Sequence, residues 1–188
     1  MIKIGLTGSV ASGKTTASKI ISSRRGPLFS ADKVVKKLYT QNNFKRLIAR
    51  KFNLKLNKNF KKKLKNKILH KKEILKKLEK IIHPLVRKEM FLFLMKNKKK
   101  KLLFFEIPLL IENKLTKYFD VVIFIKTKNN LRLKRYMLKG GSARLFSLLD
   151  KHQIKDTKKI KFCDHIVVNN KSLSILKKKL SNIIKLYE

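Results

Sequence analysis

Eight residues near the N-terminus, Gly8-Ser9-Val10-Ala11-Ser12-Gly13-Lys14-Thr15, restrict the fold more than any other part of the chain. An apolar run, Ile2-Lys3-Ile4-Gly5-Leu6-Thr7, precedes them, and helix-forming residues follow over 14–23. The spacing G-x-x-x-x-G-K-[ST] between a strand and a helix is that of a phosphate-binding P-loop. The chain holds only 6 glycines in 188 residues, so two at fixed positions of one octet reflect a backbone need. Gly8 and Gly13 let the loop curl with the N–H groups of Val10, Ala11, Ser12 and Gly13 turned inward around an anion. The helix N-terminus at Lys14 adds partial positive charge. Lys14 is expected to reach the β- and γ-phosphates, Thr15 to place its hydroxyl on Mg²⁺, and Thr16 to add a phosphate contact. The implied cofactors are a nucleoside triphosphate and Mg²⁺.

Four further apolar runs read as strands: Leu28–Ala31, Leu102–Ile107 ended by Pro108, Asp120–Ile125, and His165–Asn169. Helical stretches separate them, which predicts crossover connections and a parallel sheet of about five strands. The fold class is therefore α/β, a three-layer P-loop NTPase arrangement. From about Lys33 to Lys101 the pattern is helical, with Leu75, Leu78, Ile81, Ile82 and Leu85 on one face. His83-Pro84 is expected to break or kink that helix. Asn130 to Lys139 also reads as helix, ended by Gly140-Gly141.

Only five acids precede residue 110, namely Asp32, Glu73, Glu79, Glu89 and Glu106. Asp32 and Glu106 stand at strand ends, where parallel α/β sheets open onto their ligand crevice. Glu106 is thus expected beside the Mg²⁺ shell. Asp32 has two readings, a base for an acceptor hydroxyl or a cap of the helix that follows.

Lys+Arg is 50 against 11 Asp+Glu, a formal net charge of +39. A polyanion partner is one reading. The basic residues divide into 42 Lys and only 8 Arg, while Ile reaches 19, Asn 13 and Phe 12. These abundant types share A/T-rich codons, and a surface built for phosphate contact should also use the planar arginine fork. Codon drift is the preferred account. The single cysteine, Cys163, excludes a disulfide framework and a Cys-based zinc site. No apolar run approaches the ~18 residues of a membrane span, and the N-terminus reads as a strand rather than a signal peptide. A cytoplasmic protein with no membrane partner is expected.

Several other segments fall in a specific order. Gly5-Leu6-Thr7-Gly8 leads into Ser12-Gly13-Lys14-Thr15-Thr16, followed by Ser30-Ala31-Asp32, Ile82-His83-Pro84-Leu85-Val86 and Ile107-Pro108-Leu109-Leu110-Ile111-Glu112. Gln153 then stands eleven residues before Asp164, and Cys163-Asp164 and Asn169-Asn170 close the set. In this order the chain resembles the dephospho-coenzyme A kinase family over about residues 2–175. The resemblance implies transfer of the γ-phosphoryl of ATP to the ribose 3′-hydroxyl of dephospho-coenzyme A, the last step of coenzyme A biosynthesis. It implies one P-loop kinase domain over 1–188, with core 1–32, 102–138 and 160–188. A helical substrate lobe would span about 33–101 and a small lid about 139–159.

The same resemblance makes Asp32 the catalytic base and puts His83 in the substrate lobe, as a substrate ligand or as a structural residue before Pro84. Arg135 would steady the transferring phosphate, or else be a solvated helix arginine. Asn169 would lie near the adenine, or else form the turn after the last strand. Departures from the family pattern are Ser30 for an acid, Lys139 for an arginine, Gly140-Gly141-Ser142 in the lid and Lys171 for a glycine. A monomer acting on a small molecule, with no specific nucleic acid, is expected. The alternative is a P-loop ATPase that binds nucleic acid through its lysine surface.

Overall fold

Near-continuous apolar runs suit strands buried on both faces, and five of them build the sheet. A computed structural model describes residues 1–188, the side chain of Lys72 apart. The strands are β1 (Ile2–Gly8), β2 (Leu28–Ser30), β3 (Leu102–Glu106), β4 (Val121–Lys126) and β5 (His165–Val168). They lie in the order β2-β3-β1-β4-β5, and every pairing is parallel. β1 is central: Ile4 pairs with Phe104 on one side and Val121 on the other.

The helices are α1 (Lys14–Ser22), α2 (Ala31–Leu38), α3 (Asn42–Lys51), α4 (Phe60–His70), α5 (Lys72–Lys96), α6 (Asn129–Met137), α7 (Ala143–His152), α8 (Asp156–Lys159) and α9 (Leu173–Ile184). The chain divides into two compact units, one of Met1–Ser30 with Leu94–Glu188 and one of Ala31–Phe93.

In the sheet unit, Ile4, Leu6, Phe104, Ile123 and Ile125 pack with Ala17 and Ile21 of α1 and Leu176, Leu180 and Ile184 of α9. The three α9 residues recur every fourth position, so one stripe of the helix faces the core. Each such large side chain contributes about 1.5–3 kcal/mol by leaving water. Ser172 caps α9 by accepting the N–H of Ile175 at 3.4 Å. Phe105 meets Phe29 and Phe119 with ring centres 5.9 and 5.2 Å apart. Gly5 keeps β1 beneath that cluster, because a Cβ there would stand 2.8 Å from Leu110 Cδ1.

The helical unit has its own core of Leu38, Phe44, Ile48, Ala49, Phe52, Phe60, Leu64 and Leu78, with Ile81, Ile82 and Leu85 packed against it. Two local expectations change. Helix α5 is not broken at His83-Pro84 but runs unbroken from Lys72 to Lys96 with Pro84 inside it. Pro84 is exposed, and the apolar residues just before and after it pack on the core, which carries the helix past the lost N–H. The second strand stops at Ser30, so Ala31 and Asp32 already belong to the first turn of α2.

Candidate active site

β1 ends at Gly8 and α1 starts at Lys14, so the loop between them opens at the C-terminal edge of the sheet's central strand. Gly8 lies close under β4, and a Cβ there would stand 2.5 Å from the carbonyl oxygen of Ile125. Gly13 has φ +95°, and a Cβ there would fall 2.3 Å from Asn169 Nδ2. Gly8 is thus required by space, against a backbone carbonyl, and both glycines by conformation, Gly8 having φ +153°. Ala11 adopts φ 58°, a left-handed conformation inside the same loop.

Lys14 is buried, and its Nζ donates to the carbonyls of Gly8 at 2.9 Å and Ser9 at 2.8 Å. The first turn of α1 carries no acid, so nothing there cancels the positive end of the helix dipole. Thr15 Oγ1 donates to Glu106 Oε1 at 2.5 Å, and Ser18 Oγ donates to Glu106 Oε2 at 3.3 Å. Glu106 ends β3 and is 1% exposed. A buried carboxylate is thereby fixed against the P-loop threonine. Among the described residues no group of three or more His, Cys, Asp or Glu gathers as a metal-binding cluster.

The far side of the loop is braced from β4, β5 and α6. Ser12 O accepts from Thr127 Oγ1 and from Asn169 Nδ2, both at 2.9 Å. Arg135 Nη2 donates to Asn169 O at 3.2 Å, while its Nη1 is buried without a hydrogen-bond partner, as is Ser12 Oγ. That Nη1 lies 3.8 Å from the position a Gly13 Cβ would take. Leaving a buried donor unpaired costs about 1–3 kcal/mol, more for a charged group.

Arg132, Asp150, Asp156 and Lys159 went unremarked in the sequence, while Gln153 and Glu112 entered only as members of the family pattern. Arg132, 6% exposed, donates Nη1 to Asp150 Oδ1 at 2.5 Å and to Val10 O at 3.4 Å. Gln153 Oε1 accepts the N–H of Val10 at 3.1 Å, and Ser9 Oγ donates to Asp156 Oδ1. Lys159, fully buried, stands 2.7 Å from Glu112 Oε1, close enough for an ion pair though outside hydrogen-bond angles. The signal for Arg132 was scarcity: 8 arginines in a chain with 42 lysines invite the question asked of the glycines.

Thr16 sits exposed in the first turn of α1. Asp32 lies in the first turn of α2, and His83 is half-buried in α5 of the helical unit. Just before β5, Cys163 donates its thiol to Lys159 O at 3.3 Å. Burial first, then the Asp164 carboxylate, push that thiol up to about 12, with Lys159 opposing them.

The dephospho-CoA kinase family model matches residues 2–174. The chain belongs to the dephospho-CoA kinase family. It is 34% identical to the dephospho-CoA kinase of Fusobacterium nucleatum over 94% of both chains. To that of Bartonella henselae it is also 34% identical, over 97% of this chain and 96% of the relative. Among solved structures, the dephospho-CoA kinase from Campylobacter jejuni superposes with a TM-score of 0.66 at 28% identity, covering 97% of this chain and 95% of that one. Shikimate kinase from Acinetobacter baumannii shares the fold at 16% identity and a TM-score of 0.57, covering 99% and 92%. The parallel sheet with its P-loop is therefore that of the P-loop kinases.

Proposed function

We propose that this member of the dephospho-CoA kinase family transfers the γ-phosphoryl of ATP to the ribose 3′-hydroxyl of dephospho-coenzyme A, giving coenzyme A and ADP. The observation that carries the reading is the loop corner itself. Lys14, Thr15 and buried Glu106 meet at one end of the P-loop, and the unpartnered Arg135 Nη1 lies at its other side. In this reading Gly8, Val10, Ala11, Ser12 and Gly13 wrap the phosphates, Lys14 neutralises the β- and γ-oxygens, and Thr16 adds a phosphate contact. Arg135, from the Gly13 side of the loop, steadies charge on the phosphate chain during transfer.

Magnesium suits the hard oxygen donors of this corner. Thr15 would hold it, Glu106 would orient Thr15 from behind, and the ion when bound would offset charge on the β- and γ-phosphates. Asp32, placed by α2 directly after β2, takes the proton of the acceptor hydroxyl. His83 belongs to the helical unit that receives the acceptor, and Asn169 lies on the adenine side of the loop. The enzyme works as a monomer on small anions, and its lysine surface recognises no particular nucleic acid.

The test is to incubate the protein with Mg-ATP and dephospho-coenzyme A and follow ADP and coenzyme A. ADP release that depends on the acceptor is expected, and folded protein with none would sink the reading. Asp32→Asn should lower kcat by about 10²–10⁴-fold with ATP affinity retained. An unchanged kcat would remove Asp32 from the role of base.

A further inference from the structure

Gln153 caps the C-terminus of α7, outside every role given above. Its Oε1 accepts the backbone N–H of Val10 at 3.1 Å. Val10 and Ser9 form the first turn of the P-loop. This turn is also held by Arg132 on Val10 O at 3.4 Å and by Asp156 on Ser9 Oγ. Three side chains from α6, α8 and the connection before α8 thus grip two residues of the loop.

The end they grip can be named from Lys14. The P-loop lysine reaches the β- and γ-phosphates, and here its Nζ lies 2.8 Å from Ser9 O. The Ser9–Val10 turn is therefore the end of the loop that faces the terminal phosphate, and the Gly13 end lies at the start of α1. The Val10 bond also fixes the side-chain amide: only Oε1 can accept, so the Nε2 donors point elsewhere.

Gln153 is itself held firmly. One residue on, the N–H of Ile154 donates to Glu112 Oε1 at 3.2 Å, and Lys159 pairs with the same oxygen. On the other side Asp150 of α7 holds Arg132. A side chain anchored before and after itself is suited to setting a loop's position.

We propose that Gln153 is a positioning residue for the γ-phosphate end of the P-loop, holding the Ser9–Val10 turn through the Val10 N–H. This rests on the nucleotide-binding part of the proposed function and not on the acceptor or its turnover. A nucleotide with a third phosphate should feel Gln153, and one ending at the β-phosphate should not.

Titration calorimetry of the full chain with Mg²⁺ and either β,γ-imido-ATP or ADP tests this. Gln153→Glu keeps the acceptor for Val10 N–H and adds one negative charge at the γ-phosphate end. It should weaken the imido-ATP at least about 10-fold, about 1.4 kcal/mol, and leave ADP within about twofold. Gln153→Met, which removes the acceptor, should lower kcat at least about 10-fold with the KM for dephospho-coenzyme A within about twofold. Equal losses for the two nucleotides, or none, would overturn the proposal, because a merely structural glutamine cannot discriminate between them. If Gln153→Met does not fold, Gln153→Asn, whose amide is one methylene too short to reach the Val10 N–H, takes its place with the same expected loss of kcat. Wild-type protein that binds both nucleotides but shows no acceptor-dependent turnover would overturn the kinase reading and leave this one standing.

Discussion

Acids are few enough in this chain that each can be asked what it does. Of 11, six lie beyond residue 110, and every one of those six is engaged. Glu112 pairs with Lys159, Asp120 with Lys3, Asp150 with Arg132 and Glu188 with Arg25. Asp156 accepts from Ser9, and Asp164 Oδ2 accepts the N–H of Val122 at 2.7 Å. In the sequence, Glu106 was legible because it ends an apolar run, whereas Asp150 and Asp156 sit in a lysine-rich stretch with no pattern to single them out. Their partners come from 18 and 147 residues away, a separation that no local spacing encodes. Cys163 supports a prediction at this scale. With its thiol pushed up to about 12, the folded protein should react with iodoacetamide at pH 8 on the order of a thousandfold more slowly than the denatured chain. The protonated thiol donates to Lys159 O, so its stabilising effect is full below the ordinary thiol range near 8.5 and fades as pH climbs toward 12. Equal labelling rates in native and denatured protein would contradict this.

At the scale of elements, the strands were readable because a parallel sheet covered on both faces demands unbroken apolar runs. β3 is buried along its whole length and β4 up to Lys126. The break expected at Pro84 is absent from α5, because proline penalises a helix locally while packing on both sides of it is tertiary. The connection from α7 to α8 was least legible, since its order comes from side chains that reach other elements. Its anchor is the Lys159–Glu112 pair, which ties α8 to the turn after β3. Lys159→Met would leave Glu112 without its cation in a setting where that side chain is 15% exposed. Denaturant unfolding should show a loss of about 3 kcal/mol, with part recovered in Lys159→Met/Glu112→Leu. A loss under about 0.5 kcal/mol would mean the pair contributes no more than a surface bridge.

The molecule as a whole carries +39, and like charges at that density oppose a compact state. Ligands that bring negative charge to the folded form should therefore stabilise it visibly. Mg-ATP at about 100 times its Kd adds about 2.7 kcal/mol by mass action, which for a chain of this size is about 5–10 °C in Tm. A melting curve unmoved by saturating Mg-ATP would contradict nucleotide binding by the folded state. Among the described residues no helix is long and apolar enough to cross a membrane. The chain order of the sheet has a further consequence for how this protein is made. β1 is made first, yet its neighbours are β3 and β4, so the central strand has no partner until residue 106 has been synthesised and lacks its second until residue 126. The core of the helical unit, by contrast, is complete once residue 85 has emerged. Vectorial synthesis thus favours a helical intermediate carrying an unpaired, apolar N-terminal strand, the form of this chain most exposed to aggregation.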